Sequence, residues 1–67
     1  LAYRNRGNVY SALQDFEKAI ADYTRAIELN PDGGGAYYWR GVCRQDLGDT
    51  ETAQQDIAKA QELGYQI

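Results

Sequence analysis

Apolar residues between Asp15 and Pro31 recur at steps of three and four along the chain. These apolar positions are Phe16, Ala19, Ile20, Tyr23, Ala26, Ile27 and Leu29. The spacing predicts an amphipathic helix whose stripe is wide enough to contact helices on both sides. Asp15 is suited to the N-cap, and Pro31, which lacks an N–H, predicts the end of this helix. We therefore expect this segment to form the middle layer of a helical stack.

Three further segments have helical spacing. We predict helices over residues 1–13, 36–47 and 50–63. The first of these helices is expected to bury its large residues Tyr3, Val9, Tyr10 and Leu13. Its internal Gly7 costs about 0.5–1 kcal/mol relative to alanine, so we expect Gly7 to face a closely approaching neighbour. Gly48 is suited to a left-handed C-cap, and the glycines at 33–35 are expected to form a flexible connector.

The second half of the chain repeats the first at a fixed distance. Gly7 and Gly41 lie 34 positions apart. The same separation relates Leu13 to Leu47, Asp15 to Asp49, Ala19 to Ala53, Asp22 to Asp56, Ala26 to Ala60 and Leu29 to Leu63. A 34-residue period built from two helices predicts an all-α solenoid, in which each helix pair buries its stripe against the next pair.

The residues at these positions resemble the tetratricopeptide repeat family over nearly the whole chain. The first repeat supplies Tyr3, Gly7, Tyr10, Ala19, Tyr23, Ala26 and Pro31, and the second supplies Tyr37, Gly41, Ala53, Ile57 and Ala60. The chain departs from the family pattern at Arg44, Thr50 and Tyr65. The resemblance implies one domain over residues 1–67, with repeat one at 1–33 and repeat two at 34–67. It also implies two helix-turn-helix repeats stacked as a short right-handed superhelical solenoid.

Polar residues in the fourth helix indicate where the array ends. Gln54 and Gln61 stand where the central helix has Ile20 and Ile27, the residues expected to face a following helix pair. Because polar residues at packing positions are usually exposed, we predict that repeat two is the C-terminal end of the array. The alternative, that both glutamines pack on another element through their stems, remains open.

The start of the chain has no such polar substitution. An apolar face is expected at Ala2, Tyr3, Val9 and Tyr10. The sequence contains no Met, so we expect it to be a piece of a longer protein whose upstream repeats cover this face. In isolation, the same face is expected to drive self-association, since two repeats are fewer than the three or so that stabilise a stack.

The amino-acid composition argues against several classes of function. The chain has no His and a single Cys, Cys43, which is expected to be a buried structural thiol. We therefore predict a non-enzymatic protein without a metal or another cofactor. The net charge of −3 argues against nucleic acid. Because no apolar run approaches the roughly 20 residues of a membrane span, and the lone cysteine fits a reducing compartment, we expect a cytoplasmic protein without membrane contact.

The charged residues are expected to be solvated. The acidic residues assigned to outer faces are Glu17, Asp22, Glu28, Glu51, Asp56 and Glu62. Lys18 with Asp22, and Asp22 with Arg25, are predicted as ordinary surface pairs.

The resemblance also implies a concave groove lined by the first helix of each repeat. The groove positions correspond to Arg4, Asn8, Ser11, Ala12, Tyr38, Val42, Gln45 and Asp46. Arg4 and Asn8 lie one helical turn apart and could together hold a carboxylate, as in half of the clamp with which some family members bind chaperone C-termini. Val42 stands where that clamp requires Asn, which speaks against a complete clamp.

Two adjacent aromatics are additions to the family pattern. Tyr38 and Trp39 replace the polar Arg4 and Asn5 of the first repeat. Exposed aromatics are favoured interface anchors, although Trp39 could instead pack as core. We predict protein–protein interaction through a groove formed by Arg4, Asn8, Ser11, Tyr38, Trp39, Val42 and Gln45. The alternative function is a structural scaffold that self-associates through Ala2, Tyr3, Val9 and Tyr10.

Overall fold

The computed structural model of the protein describes residues 3–66, and these residues form four helices. The helices are α1 at Tyr3–Ala12, α2 at Phe16–Leu29, α3 at Gly34–Asp46 and α4 at Thr50–Glu62. No strand occurs within residues 3–66, so the all-α prediction is confirmed.

The helices pack in the order of the chain. The helix α2 lies between α1 and α3, α3 packs on α4, and α1 meets α3 over a small area. Among the described residues, α4 contacts neither α1 nor α2. Two helix hairpins are therefore stacked with α2 as the shared middle layer, which is the helical-repeat solenoid that the period predicts.

Small residues and one tyrosine form the centre of this stack. Ala19, Tyr23 and Cys43 are completely buried, and Tyr10, Phe16 and Ile20 pack against them. Burial raises the pKa of the Cys43 thiol, which keeps it in the unreactive protonated form. The prediction of a buried structural cysteine is confirmed.

Two glycines at equivalent positions allow the helices of each hairpin to approach closely. A Cβ on Gly7 would lie 2.9 Å from the Cε1 atom of Tyr23. A Cβ on Gly41 would lie 2.9 Å from the backbone oxygen of Ala53. The expectation that Gly7 faces a close neighbour is confirmed.

The helix boundaries confirm most of the predicted signals. The Asp15 side chain accepts a hydrogen bond from the backbone N–H of Lys18 at 3.4 Å and so caps α2. The helix ends at Leu29, just before Pro31. Gly48 adopts a φ of +88°, as a left-handed C-cap requires. Gln14, in the turn between α1 and α2, also adopts a positive φ, of 62°.

The predicted flexible connector before α3 is wrong for two of its three glycines. The helix begins at Gly34, so Gly34 and Gly35 are helical. A Cβ on Gly34 would lie 3.0 Å from the Cβ of Tyr65 and 3.3 Å from the Ala60 carbonyl oxygen. Packing against the chain that follows α4 therefore overrides the low helix propensity of glycine.

The burial predicted for α1 is largely wrong. Val9 is 57% exposed and Leu13 is 70% exposed, while Tyr3 and Tyr10 are half-buried. Gly7 is the only residue of α1 that is fully buried. The reason is that α1 contacts α2 and only the margin of α3.

Candidate functional site

A pocket of about 300 Å³ lies between α1 and α3, and we call it the Trp39 pocket. It is lined by Asn8, Ser11, Ala12, Tyr23 and Trp39. The three α1 residues are separated by three or four positions, so they share one helix face. Tyr23 comes from α2 and forms part of the lining, and Trp39 comes from α3. The site therefore depends on the stacking of one repeat on the next.

The side-chain amide of Asn8 is oriented by a hydrogen bond from a residue of α2. The Tyr23 hydroxyl donates a hydrogen bond to Oδ1 of Asn8. A tyrosine hydroxyl is protonated at neutral pH, and burial raises the pKa of Tyr23 further, to about 12, so it acts as the donor. With its oxygen engaged, the Asn8 amide retains two N–H donors for a ligand acceptor.

Trp39 forms the aromatic wall of the pocket and is 39% exposed. Its ring meets the Tyr38 ring edge-to-face, with the centroids 4.9 Å apart. The alternative interpretation of Trp39 as a core residue is therefore wrong. Tyr38 is half-buried because it stacks on Tyr65, with ring centroids 5.3 Å apart.

Arg4 lies in a different pocket from Asn8. This second pocket, also about 300 Å³, is lined by Arg4, Asn5, Ala26, Asn30, Gly33 and Ala36. The described residues make no salt bridge with Arg4. The one-turn spacing of Arg4 and Asn8 therefore does not bring them into one pocket. Val42 is half-buried and Gln45 exposed, and neither lines either pocket.

Two buried carboxylates contradict the prediction that the acidic residues are all solvated. Asp22 is 5% exposed and Asp56 is 4% exposed. Arg6 donates to both oxygens of Asp22 at 2.8 and 2.9 Å, and Arg40 donates to both oxygens of Asp56 at 2.9 and 2.7 Å. These are bidentate pairs between the two helices of each hairpin. The hydrogen bonds from Arg6 hold the pKa of Asp22 below its ordinary value.

The sequence carried a signal for these pairs. Arg6 and Arg40 lie 34 positions apart, as do Asp22 and Asp56. Solvated residues need not recur with the same charge in each repeat. Two residues that form an ion pair between helices do need to recur together, one repeat length apart. The predicted pairs of Asp22 with Lys18 and with Arg25 are wrong because Arg6 occupies the carboxylate.

The remaining ion pairs are exposed contacts along single helices or turns. Lys18 pairs with Asp15 at 3.6 Å, Arg25 with Glu28 at 3.1 Å and Lys59 with Glu62 at 3.0 Å. Pairs of this kind contribute about 0–1 kcal/mol.

The proposed self-association face is only partly apolar. The guanidinium carbons of Arg6 and Arg25 lie 5.5 and 5.9 Å from the centroid of the Tyr3 ring. The ammonium of Lys18 lies 5.6 Å from the centroid of the Tyr10 ring. Val9 is the exposed apolar member of the face, and Ala2 lies outside the described residues.

Within residues 3–66, no group of three or more His, Cys, Asp or Glu side chains is arranged to hold a metal ion. None of the four helices has the length and apolar character needed to cross a membrane.

Comparison with known proteins gives the family. Two family models described as tetratricopeptide repeat match residues 1–32 and 22–55. The chain is 43% identical over 61 residues to a UDP-N-acetylglucosamine–peptide N-acetylglucosaminyltransferase of Giardia intestinalis, a match that covers 91% of this chain and 4% of that protein. It is 33% identical over 61 residues to heat shock protein STI1 of Saccharomyces cerevisiae, covering 91% of this chain and 10% of STI1.

A third relative is Hsc70-interacting protein 1 of Drosophila melanogaster, which is 35% identical over 65 residues. That match covers 97% of this chain and 17% of the relative. The chain thus spans between 4% and 17% of the length of these three proteins. With the 34-residue period, the four-helix stack and the two family matches together, the chain belongs to the tetratricopeptide repeat family of protein-interaction modules.

Proposed function

We propose that the face between α1 and α3 binds an extended segment of a partner protein and that the Trp39 pocket receives one apolar side chain of that segment. The observation that carries this proposal is a pocket of about 300 Å³ between the repeats with a partly exposed tryptophan in its wall. This volume is at the lower limit for ligand pockets and suits one bulky side chain.

The chemistry of the lining supports a peptide ligand. Trp39 and the methyl group of Ala12 offer apolar contact area, and large aromatics such as Trp39 dominate binding energy at interfaces. The free N–H groups of Asn8 suit a backbone carbonyl or a carboxylate of the ligand, because Tyr23 already engages the amide oxygen. The pocket thus combines an apolar anchor point with a directional donor.

The residues around the pocket extend the proposed contact area. On α1, Ser11 lines the pocket beside Asn8, and Arg4 offers a cation in the second pocket for an acidic residue of the ligand. On α3, Val42 is the i+3 neighbour of Trp39 and Gln45 the i+3 neighbour of Val42, and they add one apolar and one amide group to the proposed contact area. Tyr38 contributes by supporting Trp39.

The relatives suggest a class of partner. One of them is named for its interaction with Hsc70 and another is named a heat shock protein. We therefore propose a chaperone-linked partner for the protein that contains this chain. A cytoplasmic location is part of the same proposal.

A structural scaffold is the second candidate function. Val9 on α1 and Leu13 just after it leave apolar area exposed, and association through Ala2, Tyr3, Val9 and Tyr10 would cover part of it. Sedimentation equilibrium of the chain and of Val9→Arg separates the two functions. A dimer that Val9→Arg dissociates supports the scaffold, whereas a monomer over the whole concentration range contradicts it.

Selection and titration of peptides tests the groove. Peptides are selected from a phage-displayed library against the immobilised chain and then titrated against the wild type and Trp39→Ala. We expect Trp39→Ala to weaken binding at least about tenfold, as for a central anchor residue. Leu47→Ala is the matched control, because Leu47 is 50% exposed and lines neither pocket. Selected peptides that bind Trp39→Ala and Asn8→Ala as tightly as the wild type would contradict the proposal.

A further inference from the structure

The segment that follows α4 folds back onto the start of α3. Gly64 adopts a φ of +88°, and the backbone N–H of Tyr65 donates to the Ala60 carbonyl at 3.0 Å. The Tyr65 side chain lies against the first turn of α3, where a Cβ on Gly34 would be 3.0 Å from the Tyr65 Cβ and a Cβ on Gly35 would be 3.4 Å from its Cε1. Gly34 therefore makes room for this tyrosine, whereas a Cβ on Gly35 would first meet Nη1 of Arg4, at 3.0 Å.

Three aromatic rings connect this segment to the groove. The Tyr65 ring stacks on Tyr38, with the centroids 5.3 Å apart and the planes at 27°. Tyr38 in turn meets the ring of Trp39 edge-to-face, with the centroids 4.9 Å apart and the planes at 79°. Both arrangements are favourable for aromatic pairs. Trp39 is the last ring of the series and forms the wall of the Trp39 pocket.

The first repeat has none of these parts. Tyr65, Tyr38 and Trp39 stand 34 positions after Pro31, Arg4 and Asn5, respectively. The repeat fold is therefore built in repeat one without an aromatic at any of the three positions. The series is a particular feature of repeat two, in which Gly34 leaves the space that Tyr65 occupies.

We propose that Tyr65 is a positioning residue of the groove, which holds Tyr38 and through it fixes Trp39 as the wall of the Trp39 pocket. The use of this arrangement in binding rests on the proposed function, whereas the positioning of Trp39 does not. A tryptophan that is already fixed loses less conformational entropy when a ligand binds, so a preorganised wall favours affinity.

The test uses the fluorescence of Trp39, which is the only tryptophan in the chain. Acrylamide quenching and fluorescence anisotropy are measured without ligand for the wild type and Tyr65→Ala. We expect Tyr65→Ala to raise the quenching constant by about twofold and to lower the anisotropy, because an unsupported exposed side chain changes rotamer within nanoseconds. Tyr65→Phe keeps the ring and is expected to match the wild type.

Two control variants separate positioning from loss of stability. Leu63→Ala shortens a half-buried side chain at the same end of α4 and leaves both rings of the Tyr38–Tyr65 stack in place. Gln66→Ala changes the exposed neighbour of Tyr65. All variants are measured below their unfolding transitions, as monitored by circular dichroism. We expect both controls to leave Trp39 quenching at the wild-type level.

The proposal is overturned if quenching and anisotropy of Tyr65→Ala match the wild type, or if Leu63→Ala loosens Trp39 as much as Tyr65→Ala does. Titration with a selected groove peptide then addresses binding. Loosened Trp39 with weaker peptide binding supports the positioning role and the groove together. Loosened Trp39 with unchanged peptide affinity upholds the positioning of Trp39 and contradicts the proposed groove function.

Discussion

The two repeats contain the same arginine–aspartate pair in different surroundings. In repeat one, Arg6 pairs with Asp22, and the two side chains are 48% and 8% exposed. In repeat two, Arg40 pairs with Asp56, and the side chains are 14% and 6% exposed. Arg44 also donates to Asp56 at 2.8 Å, and Arg40 reaches across to the Thr24 hydroxyl of α2 at 3.2 Å.

The difference shows that position in the stack sets the energetic weight of a repeated residue. Arg40 lies where α3 packs on both α2 and α4, so water is largely removed from its ion pair. Arg6 lies on α1 and keeps about half of its side chain exposed. Removing one partner of a buried pair costs about 3–5 kcal/mol, whereas an exposed pair contributes about 0–1 kcal/mol.

The largest expected effect is the cost of Asp56→Asn. This variant keeps the shape of the side chain but removes the charge that holds Arg40 and Arg44. We expect the free energy of unfolding to fall by about 3 kcal/mol, as for a broken buried pair. The matched variant Asp22→Asn is expected to cost about 1 kcal/mol, since Arg6 is half exposed. Urea unfolding measures both, and equal costs would refute the comparison.

The second effect is an alkaline loss of stability from Tyr23, to which the equivalent position of repeat two does not contribute. Tyr23 has the non-titrating Ile57 as its counterpart. Burial raises the pKa of Tyr23 from 10.0 to about 12, so between these values the folded tyrosine stays neutral while the unfolded one ionises. The contribution of Tyr23 to the free energy of unfolding is fully present below pH 10 and is lost as the pH rises towards 12. We expect a loss of about 2 kcal/mol over that window.

Tyr23→Phe is the control for this prediction. It removes the titrating group and the hydrogen bond to Asn8, so it lowers stability at neutral pH by about 1 kcal/mol. Thermal unfolding measured from neutral pH to pH 12 should show a shallower alkaline decline in this variant. The same decline in Tyr23→Phe and the wild type would assign the effect to other groups.

The third effect compares the two sites, Gly7 and Gly41, at which a glycine allows two helices to pack closely. In Gly41→Ala the new Cβ would lie 2.9 Å from the backbone oxygen of Ala53, which cannot move without shifting α4. In Gly7→Ala it would lie 2.9 Å from the Tyr23 ring, which can tilt. We expect both variants to be destabilised, with Gly41→Ala about 1 kcal/mol worse, within the usual range for overpacking. Denaturant unfolding of the two variants measures both losses. A larger loss of stability in Gly7→Ala than in Gly41→Ala would contradict this prediction.

The smallest effect is the response of the Arg6–Asp22 pair to acid and salt. The hydrogen bonds from Arg6 lower the pKa of Asp22, so the pair stabilises above the ordinary carboxyl pKa of 3.8 and is lost as pH falls below it. Because Arg6 is half exposed, about 1 M salt should also reduce the contribution. Stability profiles of the wild type and Asp22→Asn should therefore converge in acid and in high salt. A gap that persists in both conditions would contradict this account.

The sequence was sufficient to predict the fold because the fold depends on local spacing. The step of three and four through Phe16, Ala19 and Tyr23, together with the 34-residue period, predicts the layers of the stack. The sequence pattern could not predict which apolar residues of the first helix are buried. Val9 and Leu13 fit the helical stripe but have no packed neighbour among the described helices to cover them.

The candidate site was predicted in part for the same reason. Asn8 and Ser11 were named from the groove positions of the family and Trp39 as an aromatic added to that pattern, and the three line one pocket. Arg4 and Asn8 line different pockets because of how α3 lies across α1. The spacing of residues along a single helix carries no information about that packing. The buried roles of Asp22 and Asp56 were missed because charge was read along each helix and not across the hairpin.

Chemical-shift mapping of a bound peptide tests the central claim most directly. A peptide selected on the immobilised chain is titrated, unlabelled, into the ¹⁵N-labelled chain. The account predicts that the largest shifts occur at the Asn8 side-chain amide, the Ser11 backbone and the Trp39 indole N–H. Shifts confined to the Val9–Leu13 side of α1, with the Trp39 indole N–H unmoved, would contradict it.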